Sequence, residues 1–162
     1  LPKGDRQKWL VEKLTELGVT ALVPLVTTRG VAQPTDSALE RLERSVIEAA
    51  KQCGRNRLMR VAKPQAWTPW IAEGTGPLAG DLRSPECRRL IAHPSSAALS
   101  AIDLATPLPT HLAIGPEGGF TDDEVAAAMA AGWQAVDLGP RILRVETAAT
   151  ALAAVVALSG RS

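Results

Sequence analysis

The chain has 162 residues, 46% of them hydrophobic, which suffices for one domain with a sizeable core and excludes a disordered chain. Its formal net charge of +1 is too balanced to announce a nucleic-acid binder, and no apolar run approaches the roughly 20 uncharged residues a membrane span needs. Cys53 and Cys87 show no CxxC or Cys/His spacing, which argues against a metal site and for reduced thiols in the cytoplasm.

The first residue is not Met, so the chain reads as part of a longer protein. Leu1–Arg6 does not resemble a signal peptide and leads straight into a helix predicted over Lys3–Leu17. There Trp9, Leu10, Leu14 and Leu17 recur at helical spacing, and Gly18 is the stop. Ala21–Thr27 is a short β-type run in which Pro24 predicts an edge or a bend. A connection over Gly30–Pro34 leads to a second helix over Ser37–Cys53, closed by Gly54. Leu39, Leu42, Val46, Ala50 and Cys53 share its apolar face, with Arg41, Arg44, Glu48 and Lys51 opposite.

Leu58–Ala62 reads as a strand, Trp67–Ala72 as a short helix and Gly74–Gly80 as a loop. Arg89–His93 is a strand ending at Pro94, followed by a weak helix over Ser96–Leu104. His111–Ile114 is a strand that runs into Gly115-Pro116. Thr121 followed by Glu124 is a capping box for a helix over Thr121–Ala131, and Gly132 ends it. Ala135–Leu138 is a strand and Glu146–Leu158 the last helix. Strands alternating with helices predict an α/β fold with a mainly parallel sheet flanked by helices. Ligands of such sheets bind beyond the carboxyl ends of the strands, so the loops after His93, Ile114 and Leu138 carry the interest.

Gly115–Phe120 (GPEGGF) joins a strand to a capped helix. Its glycines let the backbone turn sharply and approach a ligand closely. It is neither a Rossmann GxGxxG nor a P-loop, so an NAD-type dehydrogenase is excluded. Glu117 disfavours a phosphate and suits a cationic or hydroxyl-bearing ligand; a plain strand-to-helix turn is the alternative. In Leu138–Thr150 (LGPRILRVETAAT), Gly139-Pro140 breaks the strand, Arg141 and Arg144 precede the last helix, and Glu146 and Thr147 sit at its start. This reads as a site or as an ion-paired cap. The helix that follows is small and apolar nearly all round, which predicts burial in the core or against a partner chain. Arg55, Arg57, Arg60 and Lys63, with Arg41 and Arg44 nearby, could grip phosphates or form a solvated face. His93, His111 and the four tryptophans (Trp9, Trp67, Trp70 and Trp133) read as structural. With no Tyr and a single Phe, few side chains could serve as base-stacking platforms.

These segments resemble the RsmE family of 16S ribosomal RNA uridine methyltransferases, within the SPOUT superfamily. The resemblance runs through Lys13 and Glu16–Val19 (K..ELGV), Glu48-Ala49 with Gln52–Arg55 (EA..QCGR), Ile114–Phe120 (IGPEGGF) and Leu138–Ala148 (LGPRILRVETA). Val145 departs from the family's usual Thr. The resemblance implies a trefoil-knotted SPOUT domain over residues 1–162, with a PUA-like or OB-like N-terminal RNA-binding domain outside this chain. It also implies a cytoplasmic homodimer joined through the knot region, acting without metal or membrane on 16S rRNA of the small ribosomal subunit.

The implied cofactor is S-adenosyl-L-methionine, held by His93, Gly115, Pro116, Glu117, Gly118, Gly119, Leu138, Gly139, Ile142, Leu143, Arg144 and Thr147. The implied reaction is methyl transfer to N3 of a uridine. Arg144 is the candidate for stabilising the charge that develops there, Glu146 for orienting it or taking the proton, and Arg141 for a further catalytic or phosphate contact. Arg55, Arg57 and Arg44 are the candidate RNA contacts. Two alternatives remain: a SPOUT methyltransferase acting on another RNA such as tRNA, and a non-catalytic dimeric RNA-binding α/β module.

Overall fold

The computed structural model describes residues 1–2, 4–30, 33–73, 87–98, 103–104 and 106–159. Helix α1 (Asp5–Glu16) follows Gly4 and buries Leu10, Val11 and Leu14. The apolar run after it is split at Pro24 into β1 (Ala21–Leu22) and β2 (Leu25–Val26), because a residue without an N–H interrupts the ladder. Each half pairs in parallel with a different strand: β1 with β3 (Arg60–Val61), and β2 with β4 (Gln65–Ala66). Two residues are too few to leave an alternating pattern, so β4 has no signal of its own in the sequence.

Between them lies α2 (Asp36–Cys53). The Thr35 side chain accepts from Ala38 N at its start, and Gly54 closes it at φ 72. The Cys53 side chain, expected on the buried face, is exposed, since that face ends at Ala50. Arg55 then turns back and donates to Thr15 O (2.9 Å), which also accepts from Gly18 N (3.1 Å), and to Gly18 O (3.2 Å), tying the end of α1 to the end of α2.

Helix α3 (Trp67–Glu73) forms as expected; the loop predicted over Gly74–Gly80 lies outside the described residues. The main sheet is parallel, in the order β6-β5-β7, with β5 (Arg88–Ala98) central, β6 (Thr110–Ala113) and β7 (Gln134–Asp137). Strand β5 does not end at Pro94. Ala92 and Ala97 both pair with Val136, so the intervening residues leave the ladder and the strand resumes after them. Pro94 cannot donate to the ladder, which accounts for the excursion. The helix expected over Ser96–Leu104 is not formed at Ser96–Ala98, where pairing with β7 overrides a weak helical preference, nor at Asp103-Leu104.

Helix α4 (Asp122–Ala130) has the predicted capping box complete, with Glu124 N donating to Thr121 Oγ1 (3.2 Å) and Thr121 N to Glu124 Oε2 (2.9 Å). Helix α5 (Val145–Ser159) closes the chain.

Successive residues of β5 serve opposite faces of the sheet. Ile91 joins Trp67, Trp70, Phe120, Val125, Ala128 and Trp133 beneath α3 and α4. Leu90 joins Val136 and Leu152 beneath α5. Helices α1, α2 and α5 share a further cluster built on Val11, Leu14, Val46 and Ala153. The α/β architecture with a mainly parallel sheet is therefore the one the alternation of elements predicts. Three tryptophans pack as expected, whereas Trp9 stays 44% exposed. Helix α5 is less enclosed than its composition suggests, since Val155 and Leu158 face outward. No described helix is long and apolar enough to cross a membrane.

Candidate active site

Because β6, β5 and β7 are parallel, their carboxyl ends lie along one edge of the sheet. Three candidate segments emerge there: Gly115–Phe120 after β6, the excursion at His93 in β5, and Leu138–Arg144 after β7. His93 thus belongs to a bulge within a strand rather than to a loop after one. Its side chain is half-buried, as is that of His111 in β6.

The glycine turn is built tightly. Gly119 N donates to Pro116 O at 2.8 Å, and Gly119 has φ 70. A Cβ on Gly115 would lie 3.0 Å from Phe120 N and 3.1 Å from Gly119 C, so the turn can close only over a glycine there. Glu117 is exposed at the tip, and Phe120 anchors the turn in the core.

A second turn, which sequence reasoning missed, packs against it. In Thr27–Gly30, Gly30 N donates to Thr27 O at 3.1 Å. Arg29 Nη1 donates to Gly118 O (2.9 Å) and Phe120 O (3.4 Å). Thr28 donates to Glu124 Oε1 from its N–H (2.8 Å) and from its hydroxyl (3.1 Å). The only sequence sign of it is a Thr-Thr-Arg-Gly stretch after a strand, which by itself says nothing about a partner some 90 residues away.

Glu124 is buried, and burial pushes its pKa up. The hydrogen bonds from Thr121 and Thr28 outweigh that and hold it below the ordinary value of 4.5. A depressed folded-state pKa gives stability that is fully present above the unfolded-state value and is lost as pH falls through the folded-state value. Glu124→Gln is therefore expected to lower the Tm at neutral pH and to flatten its fall as the pH drops below the ordinary carboxyl value of 4.5. An unchanged acid slope in thermal melts would show that Glu124 does not carry it.

On the β7 side, Gly139 N donates to Asp137 Oδ1 (2.9 Å), and Gly139 adopts φ 111 with open space where a side chain would project. Leu138 and Leu143 are half-buried, Pro140, Arg141 and Arg144 exposed, and Ile142 is 94% exposed. The Arg144 carbonyl accepts the first bond of α5 from Ala148 N at 2.9 Å. Neither guanidinium, of Arg141 or of Arg144, is paired among the described residues. Thr147 is exposed.

Glu146 is buried and pairs with Arg6 of α1 (Nη1–Oε1, 3.4 Å), not with Arg144. Its Oε2 and Thr150 Oγ1 are buried without a hydrogen-bond partner among the described residues. Arg6 is the second residue the sequence does not point to; nothing local links it to position 146.

A cavity of about 680 Å³ lies between β6 and the β1–β2 segment. Gly115, Pro116, Glu117, Thr27 and Val145 are in its wall, while His93 and Leu138–Arg144 are not. The predicted residues thus divide between the cavity and the exposed sheet edge. Of the basic cluster, Arg57 is exposed, Arg44 lies 3.8 Å from Glu40, and Arg55 spends its donors on α1. Among the described residues no group of His, Cys, Asp and Glu could hold a metal.

A parallel α/β sheet with glycine-rich and arginine-bearing loops at its carboxyl edge is the frame of a nucleotide-type ligand site. A family model described as the RNA methyltransferase domain matches residues 1–157. Ribosomal RNA small subunit methyltransferase E of Synechocystis is 41% identical over 98% of this chain and 51% of its own length. That of Bacillus subtilis is 34% identical over 91% and 59%. The chain spans little more than half the length of these relatives.

Among solved structures, a Legionella pneumophila methyltransferase in complex with the bound cofactor SAM superposes with TM-score 0.83 at 30% identity, covering 98% of this chain and 63% of that one. The Neisseria gonorrhoeae ribosomal RNA small subunit methyltransferase E bound to S-adenosyl methionine gives 0.81 at 33% identity, covering 96% and 61%. The chain belongs to the RNA methyltransferase domain family, as a member of its RsmE group.

Proposed function

We propose that this chain is the S-adenosyl-L-methionine-dependent catalytic domain of a methyltransferase acting on N3 of a uridine in 16S rRNA of the small ribosomal subunit. The observation that carries this reading is the set of three segments gathered at one sheet edge, in a chain that superposes on two relatives solved with that cofactor. The residues present suit the ligand. Gly115 lets the turn close on Gly119 and Phe120, which brings its backbone to the sheet edge without a side chain in the way. Leu138 and Leu143 offer apolar surface beside open backbone at Gly139. Pro116, Glu117, Gly118, Gly119, His93, Ile142, Arg144 and Thr147 complete the proposed cofactor set.

When bound, the cofactor supplies a methyl group on an already activated sulfonium. The protein's task is to position the base and to favour its N3 anion, with the N3 proton released to solvent at the exposed edge and the methyl passing from the sulfonium to N3, leaving a neutral thioether. Arg144 is the residue proposed to stabilise that anion; its guanidinium, unpaired among the described residues and next to the cofactor loop, supports this. Glu146 holds Arg6 from the first turn of α5, two residues after Arg144, which supports an orienting role toward Arg144. Arg141 is placed for a phosphate, with Arg57 and Arg44 as more distant RNA contacts; a base in folded RNA would be splayed out to reach the edge.

The finer elements of the reading are a SPOUT-type trefoil knot, an N-terminal RNA-binding domain in the whole protein, a cytoplasmic location and a homodimer. Outward-facing Val155 and Leu158 on α5 support the last. Calorimetry with S-adenosyl-L-methionine tests the core of it. Saturable binding is expected; none at millimolar cofactor would favour the non-catalytic RNA-binding module.

A further inference from the structure

The Gly118–Gly119 peptide lies between two residues with no β-carbon, and such a peptide can flip at little cost. In this structure it is held at both ends. Its N–H donates to Pro116 O at 2.8 Å, and its C=O accepts from Arg29 Nη1 at 2.9 Å. The same nitrogen reaches Phe120 O at 3.4 Å. The stem of Arg29 packs on the turn as well: a Cβ on Gly118 would lie 3.3 Å from Arg29 Cβ and 3.4 Å from its Cδ. Beside it, Thr28 is tied to Glu124 by two hydrogen bonds, which fixes the position from which Arg29 reaches.

We infer that Arg29 is a positioning residue for cofactor binding, locking the Gly118–Gly119 peptide in one orientation. This rests on the reading that Gly115–Gly119 forms part of the S-adenosyl-L-methionine site. Without the guanidinium the turn samples flipped orientations, and the cofactor must select the competent fraction, which lowers its apparent affinity by that fraction. One nitrogen, Nη1, makes both contacts, so a lysine ammonium can replace the donor but holds it on a flexible stem as a point charge.

The test is calorimetric titration of the wild-type chain, Arg29→Ala and Arg29→Lys with S-adenosyl-L-methionine, with thermal melts of each. Arg29→Ala is expected to bind about tenfold more weakly, the fold-change that one charge-assisted hydrogen bond supplies. Arg29→Lys is expected to recover part of that loss. Melting should stay close to wild type in both, since the Thr28–Glu124 bonds and the capping box remain. Wild-type affinity in Arg29→Ala overturns the inference. So does a loss of affinity that tracks a lowered Tm and is not recovered by lysine, because that marks a general structural role. A wild-type chain that binds no cofactor overturns the underlying reading and this inference together.

Discussion

Arg144→Ala in the intact protein is expected to lower methyl transfer to small-subunit rRNA by roughly 10²–10³-fold, the usual loss when one preorganised donor to a developing charge is removed. Cofactor affinity should change by no more than about threefold, since the Arg144 backbone, its part in the proposed cofactor set, stays in place and the guanidinium acts mainly in the transition state. The expectation rests on where Arg144 stands. Its carbonyl starts α5, so its backbone is held, while its guanidinium is exposed and unpaired among the described residues. An arginine spent on an internal carboxylate would have far less to offer a substrate anion. Glu146→Gln should cost less, because Glu146 faces Arg6 and acts on Arg144 only through the seat of the helix. Single-turnover transfer of labelled methyl groups, read beside calorimetry, checks both. Near-normal turnover in Arg144→Ala would remove it from the mechanism.

Trp67→Ala is expected to destabilise the fold by about 4 kcal/mol, within the range for deleting a fully buried large aromatic side chain. Trp67 is 1% exposed and touches three aromatic neighbours, with ring centroids at 5.1 Å (Phe120), 5.2 Å (Trp133) and 6.2 Å (Trp70). Its Nε1 donates to Glu124 O at 3.3 Å. The loss would not stay local. Phe120 ends the glycine turn, and Glu124 is the carboxylate that holds Thr28, so the cavity opens beneath both sides of the proposed cofactor cradle. Trp67→Phe keeps a ring in the cluster and should cost markedly less. Urea unfolding of the three proteins decides; an alanine variant within 1 kcal/mol of wild type, about the centre of ordinary point substitutions, would contradict this account of the core.

The capping box at Thr121 and Glu124, the stops at Gly54 and Gly132, and the glycine turn after β6 are legible in the sequence. Each depends on residues a few positions apart, and the chain's local preferences suffice to form it. The parallel α/β class follows from the order of elements for the same reason, and the motifs at Gly115–Phe120 and Leu138–Thr150 stand out without any knowledge of the fold. Pro94 reads as an end to its strand because its missing N–H breaks a ladder locally. Pairing of Ala97 and Ala98 with β7 restores the strand beyond it, and that gain depends on residues 134–137. Leu138–Thr150, which looks in sequence like a capped helix with two arginines and a glutamate, divides in the same way. Its order of parts is visible, but that Glu146 is buried against Arg6 while Arg141 and Arg144 stay unpaired among the described residues is set by the packing of α1 on α5. Arg29 is the plainest case: the sequence supplies the flexible glycine turn, and only the fold supplies the guanidinium that holds it, because the energy of that contact belongs to two segments that meet only in the tertiary structure.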